Sequence, residues 1–355
     1  MKKLVFVSIL ALLLLSALVG CGDNSNDLHT QDQIKKHTHI YNDSTVEATC
    51  TSDGYTLHAC DCGSNYKDNI KSALGHNYVE REQNYKCSRC NRYEDEGFTF
   101  ELITSEMARY NDNYKDRVNT YEIKTVSNKA VENGKVYLPK KHMGYAVTGI
   151  YKGALYTVRE TAVELFIPST IKYIGSSLMA YDGQFNRPTG NIALESIIFD
   201  NSCSNLNISH TAFQFCKKVS KISMTSNCIR MINHDDLVGN HFLFEDTLYY
   251  KSNRIENGGL YYLFNMLLES DKSKLASSVS IKSGTTIIAN QVFSGNTNIK
   301  VIEIPSTVVY IGKKAFAQCV NLSTINYNGT EAQFNSIIIE ENAFQDCKTI
   351  SYKYN

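Results

Sequence analysis

Cysteine and histidine residues between positions 37 and 96 have the spacing of metal ligands. One residue separates Cys60 from Cys62, and two separate Cys87 from Cys90. Two thiolates on one tight turn can face a tetrahedral Zn²⁺ from one side while a second turn supplies the other two. The sequence therefore predicts a structural zinc site in residues 37–96, with the ligands Cys60, Cys62, Cys87 and Cys90 and the further candidates His76, Cys50 and His39.

Two other interpretations of these cysteines stay open. The first pair is C-x-C, where zinc ribbons usually have C-x-x-C, and an exported protein can form disulfides. Five cysteines in residues 37–96 cannot all pair internally, which favours metal. Free thiols in a small β-rich module are the third interpretation. An internal echo runs through the module, because His39-Ile40-Tyr41 precedes the first pair and His76-Asn77-Tyr78 precedes the second.

The N-terminus has the pattern of an export signal. Lys2 and Lys3 precede an apolar run that is too short for a stable membrane span, so residues 1–20 are expected to be removed. Leu18-Val19-Gly20-Cys21 resembles a bacterial lipobox, which implies cleavage before Cys21 and lipidation of its thiol. Two acyl chains would anchor the protein stably in a membrane, and the polar residues 21–36 would form a flexible tether. An ordinary signal peptide with a chance cysteine is the alternative.

A short repeat accounts for most of the chain after residue 135. Its clearest copy is IPSTVVYIGKKAFAQC, from Ile304 to Cys319, and residues 167–177 read IPSTIKYIGSS. Each copy opens with two apolar residues in alternation, which predicts a short strand with one buried face. These doublets are Val136/Leu138, Leu165/Ile167, Ile197/Phe199, Ile222/Met224, Val279/Ile281, Ile302/Ile304, Ile325/Tyr327 and Ile350/Tyr352. A unit of about 23 residues cannot bury its own apolar face, so the copies must stack into a solenoid.

This pattern resembles the BspA-type leucine-rich repeat over about residues 136–355. The departures are Asn296 in place of a cysteine, the loss of proline at Asp200 and Thr225, and a degenerate copy near Ile229 to Val238. The resemblance implies a mainly β protein built on a right-handed solenoid, with a role in surface adhesion or recognition and not in catalysis. Residues 97–135 are expected to form a β-rich N-terminal cap over the first coil. A hairpin insertion is expected near residues 240–270, with strands at 248–251 and 260–264.

Composition and motifs narrow the function classes. The chain has 36 basic and 36 acidic residues, which argues against a nucleic-acid ligand. It has no phosphate-binding glycine loop, no G-x-S-x-G and no H-E-x-x-H, so an enzyme is not expected. We expect an exported, membrane-anchored surface lipoprotein that binds a host or neighbouring-cell surface or matrix protein. The alternative is a carbohydrate-binding or cell-envelope structural module, although the absence of tryptophan weakens the case for a glycan ligand.

The central residue of each doublet must point outward from the sheet. In the first three copies this residue is large and apolar, namely Tyr137, Phe166 and Ile198. Adjacent strands lie roughly 4.8 Å apart, so the three side chains form a contiguous stripe, and such stripes usually bind something or are covered. We therefore expect either a ligand surface here or a cover supplied by residues 98–130 or by the loop at 181–193. Cys216, Cys319 and Cys347 recur once per coil and are expected in the core, whereas Cys203 and Cys228 have no such position.

Overall fold

The computed structural model describes residues 38–81, 84–180, 192–225, 228–233 and 243–355. The expected signal peptide, Cys21, the tether and residues 181–191 of the expected covering loop lie outside this set. Within the described part of the chain, no helix is long and apolar enough to cross a bilayer.

The Cys/His-rich module contains two small antiparallel units. The first is a three-stranded sheet of order β1-β2-β3, formed by β1 (Asn42–Val46), β2 (Gly54–Ala59) and β3 (Asn65–Lys71). The second is a hairpin of β4 (Tyr78–Arg81) and β5 (Asn84–Cys87). Neither unit is large enough to bury an extensive core, so such a module needs cross-links or metal for its stability.

The next segment leads from the module into the first coils. Its elements are β6 (Phe98–Leu102), α1 (Ser105–Tyr110), a 3-10 turn (Asp112–Arg117), β7 (Tyr121–Val126), a 3-10 turn (Asn128–Ala130), β8 (Val131–Glu132), β9 (Lys135–Tyr137), β10 (Lys141–His142), β11 (Tyr145–Ile150) and a 3-10 turn (Tyr156–Val158). β6 pairs with β7 and β8 pairs with β9, both antiparallel. β6 and β8 are therefore the edge strands of the first two solenoid sheets.

The remaining elements are mostly short strands. In the first half of the solenoid they are β12 (Glu164–Ile167), β13 (Tyr173–Ile174), β14 (Ser196–Phe199), β15 (Leu206–Ser209), β16 (Lys221–Ser223) and β17 (Ile229–Asn233). In the second half they are α2 (Leu248–Asn253), β18 (Ile255–Asn257), β19 (Leu260–Leu263), β20 (Met266–Ser270), β21 (Ser278–Ser280), β22 (Ile287–Ile288), β23 (Val301–Pro305), β24 (Tyr310–Ile311), β25 (Thr324–Asn328), α3 (Glu331–Phe334), β26 (Ile338–Ile339) and β27 (Ser351–Tyr354).

Each coil contributes one strand to each of two sheets. The doublet strands form ladders of order β16-β14-β12-β9-β8 and β21-β23-β25-β27, which we call the doublet sheets. The returning strands form β17-β15-β13-β11-β7-β6 and β18-β19-β20-β22-β24-β26, which we call the return sheets. Within these ladders the strands of successive coils pair in parallel. The exceptions are β6, β8, β18 and β19, which pair antiparallel with their neighbours. The predicted mainly β solenoid is therefore confirmed.

One continuous apolar core fills the solenoid from Ile123 to Ala343. The doublet residues from Val136 to Tyr327 lie in or against this core, as the alternation predicts. The ladders are interrupted between β16 and β21 in the doublet sheets, yet the core is not. The backbone oxygen of Ile232 accepts hydrogen bonds from Asn290 Nδ2 at 3.2 Å and from the Tyr310 hydroxyl at 2.8 Å, which join the two halves.

Two details of the repeat differ from the expectation. In the last coil Tyr352 and Tyr354 pair with Ile325 and Tyr327, so the final doublet lies two residues later than expected and its outward residue is Lys353. The residues at 248–251 form a helix, not a strand, because the Thr247 side chain caps it by accepting from the Tyr250 N–H at 3.1 Å. The expected hairpin is present further on, between β18 and β19, with Gly258 and Gly259 at its turn.

Cys216 and Cys319 are buried in the core, as expected, whereas Cys347 is only partly buried against it. The thiols of Cys319 and Cys347 each donate to a carbonyl of the preceding coil, that of Phe293 and that of Phe316, both at 3.1 Å. At the equivalent position Nδ2 of Asn296 donates to the Lys272 carbonyl of the preceding coil at 3.4 Å, and its Oδ1 accepts from the backbone N–H groups of Asn298 and Ile299. The substitution noted in the sequence therefore still satisfies buried backbone groups at this turn. Cys203 and Cys228 are also buried in the core.

A buried ion pair lies on the outer face of the return sheet, opposite the face of the core residue Ile123. Glu122 on β7 is fully buried, and its Oε1 lies 3.3 Å from Nη2 of Arg117, whose side chain is 3 % exposed. The Arg117 guanidinium also lies 4.7 Å from the centre of the Tyr173 ring. A Cβ atom on Gly149 would lie 2.0 Å from Arg117 Nη1, so glycine makes room for the guanidinium.

Candidate functional site

The second cysteine pair lies on a tight turn that directly follows β5. The Asn91 N–H donates to the Cys87 carbonyl at 3.0 Å, and Asn91 has the left-handed φ of 64° that closes such a turn. Burial acts to raise the pKa of the Cys87 thiol, but backbone N–H groups of Cys90 and Arg89 outweigh it and hold that pKa at about 5. The turn thus favours the thiolate, which is the form that binds metal.

Two residues from elsewhere in the module join this turn. Cys50, in the loop between β1 and β2, places its Sγ 3.7 Å from Sγ of Cys87. His76, just before β4, places Nδ1 3.3 Å from Sγ of Cys90. The ligand atoms of these four residues all lie within 4.8 Å of one another. We call Cys50, His76, Cys87 and Cys90 the Cys3His cluster.

The first cysteine pair belongs to a second group. His39, Cys60 and Cys62 have ligand atoms within 4.8 Å of one another, with His39 Nδ1 3.2 Å from Cys62 Sγ. Backbone and side-chain hydrogen bonds from Cys62 and His39 lower the pKa of the Cys60 thiol to about 6. This group has three candidate ligands among the described residues, and Cys62 is exposed.

This arrangement corrects the expected grouping of ligands. Among the described residues, the thiols of Cys60, Cys62, Cys87 and Cys90 do not form one group. Cys60 and Cys62 belong to one group, and Cys87 and Cys90 belong to the other. The reason is that Cys60 and Cys62 lie on the turn between β2 and β3 of the three-stranded sheet, whereas the other pair follows the hairpin. Of the additional candidates, His76 and Cys50 join the second pair and His39 joins the first.

A carboxylate from outside the module contacts the Cys3His cluster. Nε2 of His76 lies 2.6 Å from Oε2 of Glu132, which belongs to β8 of the solenoid cap. Arg92 contacts the other oxygen of Glu132 and so compensates its charge. The neighbouring Asn133 donates from its side chain to the carbonyl of Thr51, the residue that follows Cys50. The β8–β9 turn therefore holds both segments that bring ligands to the cluster.

The outward residues Tyr137, Phe166 and Ile198 lie side by side on the first doublet sheet. Phe166 pairs directly with Tyr137 on one side and with Ile198 on the other. The rings of Tyr137 and Phe166 stack with centres 4.2 Å apart and planes 13° apart. Tyr137 is 43 % exposed, and Phe166 and Ile198 are partly exposed. The stripe is thus apolar and accessible.

The wall opposite the stripe comes from the Cys/His-rich module and not from residues 98–130. A cleft of about 670 Å³ separates them, a size within the range of ligand sites. Its solenoid wall includes the stripe and Pro168, and its module wall includes Cys50, Asp53 and His76. Two residues of the Cys3His cluster are therefore also residues of the cleft.

A carboxyl group with no hydrogen bond at one oxygen lies in the cleft wall. Oε2 of Glu94 is buried and has no hydrogen-bond partner among the described residues. Burial raises the pKa of Glu94 to about 7, although the nearby Lys140 acts to lower it. Sequence reasoning missed Glu94 because no local pattern separates it from a solvated glutamate.

Comparison with known proteins identifies the repeat. Residues 270–353 match the BspA type leucine-rich repeat region in six copies, which confirms the resemblance predicted from the sequence. No curated protein is significantly similar to the chain.

Several solved structures have detectable similarity to the chain. A leucine-rich cell surface protein of Faecalibacterium prausnitzii is 12 % identical with a TM-score of 0.25, over 74 % of this chain and 94 % of that one. A leucine-rich repeat protein of T. pallidum is 15 % identical with a TM-score of 0.27, over 72 % and 83 %. A leucine-rich repeat protein of Bacteroides ovatus is 13 % identical with a TM-score of 0.27, over 73 % and 52 %.

Proposed function

We propose that this chain is an exported, non-catalytic surface protein that binds a host or neighbouring-cell protein through the cleft between module and solenoid. The observation that carries the proposal is the apolar stripe of Tyr137, Phe166 and Ile198, which lines an open cleft and is not buried under the cap. Accessible apolar patches bordered by polar groups are typical of protein interaction sites. The leucine-rich repeats at residues 270–353 support the same class of function.

The chemistry of the cleft favours a protein segment as its ligand. The stripe offers apolar contact, and the carboxylates of Asp53 and Asp200 in the cleft lining offer acceptors for a main-chain N–H or a basic side chain. A peptide supplies apolar side chains and donors together. The ligand we propose is an extended segment of a surface or matrix protein.

A carbohydrate ligand is the alternative, and the ring geometry makes it less favourable. Sugars stack on open aromatic faces, but Tyr137 and Phe166 turn one face each towards the other at 4.2 Å. One face of each ring is therefore unavailable to a sugar. Parallel screens of immobilised matrix proteins and of a glycan array decide between the two, and binding to glycans alone would favour a carbohydrate-binding module.

Phe166→Ser tests the cleft directly. It removes the central side chain of the stripe, so the Kd for the partner found in the protein screen should rise about 30-fold, as expected for a hot-spot loss of roughly 2 kcal/mol. The melting temperature should change little, because Phe166 is only partly buried. The measurement is surface plasmon resonance together with thermal unfolding.

Asn326→Ser provides the matched control, since Asn326 is the outward residue of β25 in the other doublet sheet. This variant should bind like the wild type. A large fall in melting temperature for Phe166→Ser would show that Phe166 belongs to the core, and unchanged binding would remove the stripe from the site.

We also propose that Cys21 anchors the protein by lipidation, as the lipobox-like sequence Leu18 to Cys21 implies. The mature protein should then partition into the detergent phase, because two acyl chains bind membranes stably. Cys21→Ser should release it to the aqueous phase or leave the precursor uncleaved. A wild-type protein found in the aqueous phase, with its signal cleaved at another position, would contradict lipidation.

We further propose that the Cys/His-rich module holds structural zinc. The supporting observation is that its cysteines and histidines form groups with the spacing of metal ligands. A module of two small sheets gains most of its stability from such a centre.

A further inference from the structure

We propose that one Zn²⁺ is held by Cys50, His76, Cys87 and Cys90, and that Glu132 of the solenoid cap positions the histidine ligand. This inference rests on the proposed zinc-binding module and assigns its ligands. It also implies that the bound ion stabilises the contact between the module and the solenoid.

The distances fit a tetrahedral zinc ion. Zn–S bonds of about 2.3 Å and Zn–N bonds of about 2.0–2.1 Å place two sulfurs about 3.8 Å apart and a sulfur and a nitrogen about 3.6 Å apart. Cys50 Sγ and Cys87 Sγ lie 3.7 Å apart, and Cys90 Sγ and His76 Nδ1 lie 3.3 Å apart. Three thiolates and one imidazole form a complete ligand set for a structural site.

The outer contacts also fit a metal centre. A histidine ligand usually donates its other N–H to a carboxylate, which fixes the tautomer. Glu132 lies 2.6 Å from Nε2 of His76, so Nε2 carries the proton and the lone pair of Nδ1 faces the sulfurs. Backbone N–H groups of Arg89 and Cys90 point at the Cys87 sulfur, as expected at a metal-binding turn. Arg92 at Glu132 offsets part of the negative charge.

The position of Glu132 links metal binding to docking of the module. Glu132 contacts His76, and Asn133 contacts Thr51 beside Cys50. The β8–β9 turn therefore binds best to a module whose ligand segments are already fixed by the ion. By thermodynamic linkage, docking in turn raises the affinity for zinc. Cys50 and His76 also line the cleft, so the ion shapes the proposed ligand site.

The test measures zinc content of the full chain, solubilised in detergent, for the wild type and two double variants. Cys87→Ser with Cys90→Ser should contain one zinc ion fewer per chain than the wild type. Cys60→Ser with Cys62→Ser should keep the ion of the Cys3His cluster, whose cobalt-substituted form should show thiolate-to-cobalt charge transfer. If the group of His39, Cys60 and Cys62 also binds an ion, the wild type and the Cys87/Cys90 variant should still differ by one zinc ion per chain.

Glu132→Ala tests whether Glu132 positions His76 for zinc binding, and it does so without removing a zinc ligand. Zinc affinity, measured by competition with a chromophoric chelator, should fall about 10- to 100-fold. Glu101→Ala is the matched control, because Glu101 is also a cap carboxylate paired with a cation, Lys124 at 2.9 Å, and it should not change the affinity. Equal affinity for both variants and the wild type would overturn the role of Glu132.

The outcomes separate the assignment from the proposed function. A wild-type chain with no bound zinc, and with fewer free thiols than cysteines, would overturn both in favour of disulfides. A Cys87/Cys90 variant that contains as much zinc as the wild type, or a Cys60/Cys62 variant whose cobalt-substituted form lacks thiolate-to-cobalt charge transfer, would overturn the assignment and leave a zinc-binding module in place.

Discussion

Phe316→Ala is expected to lower the free energy of unfolding by about 3–5 kcal/mol, the usual cost of removing a fully buried phenyl ring. Phe316 is completely buried and lies between two other rings, with its centre 4.9 Å from that of Phe293 and 5.0 Å from that of Phe344. Its loss would leave a cavity that neighbouring coils cannot close, because each is fixed by its own ladder. Chemical denaturation followed by circular dichroism measures the effect.

Phe344→Ala is the natural control for that experiment. It removes the same side chain from the same stack, but Phe344 is only partly buried. Its substitution should cost about half as much, since less area is removed from water. Equal losses for the two variants would contradict the expectation that the cost follows the area removed from water.

Glu122→Gln is expected to be comparably severe, at about 3–5 kcal/mol, because it leaves the charge of Arg117 buried without a counter-charge. Both side chains are inaccessible, at 0 % and 3 % exposure, and Arg117 Nη1 has no hydrogen bond among the described residues. Replacing both partners by apolar residues, as in Arg117→Met with Glu122→Leu, should restore much of the loss. Thermal and denaturant unfolding of the three variants measure this.

The exposed pair of Glu101 and Lys124 supplies the comparison. Glu101→Gln should cost less than about 1 kcal/mol, because water screens an accessible ion pair. If Glu122→Gln were equally mild, the Arg117 charge would have to reach solvent, contrary to its burial.

The sequence was sufficient to predict the repeat and its inward-facing residues. It was insufficient where two strand registers fit the same alternating pattern. Alternation placed Ile302 and Ile304 correctly inside the solenoid. In the last coil Ile350, Tyr352 and Tyr354 all lie on one face of an alternating strand, so a shift of two residues leaves the pattern unchanged. Only the pairing of Tyr352 with Ile325 decides the register.

The metal ligands show a similar limit. Spacing along the chain identified every cysteine and histidine of the two groups, but it did not show which residues share a group. That depends on how the three-stranded sheet and the hairpin lie against each other. The internal echo held a usable signal. His39 precedes the first pair and His76 the second, and each histidine does join the pair that follows it. Glu132, which comes from the solenoid cap, had no such signal.

The parallel pairing of successive coils has a mechanical consequence. Each coil is hydrogen-bonded to its neighbours along the direction in which the coils stack. Tension along that direction would act on these interfaces in series, so that one interface opens while the others stay closed. Because each coil contacts mainly its neighbours, a stretched solenoid would lengthen in steps of about one coil. Such a protein yields gradually under load and can re-form each coil when the load is released.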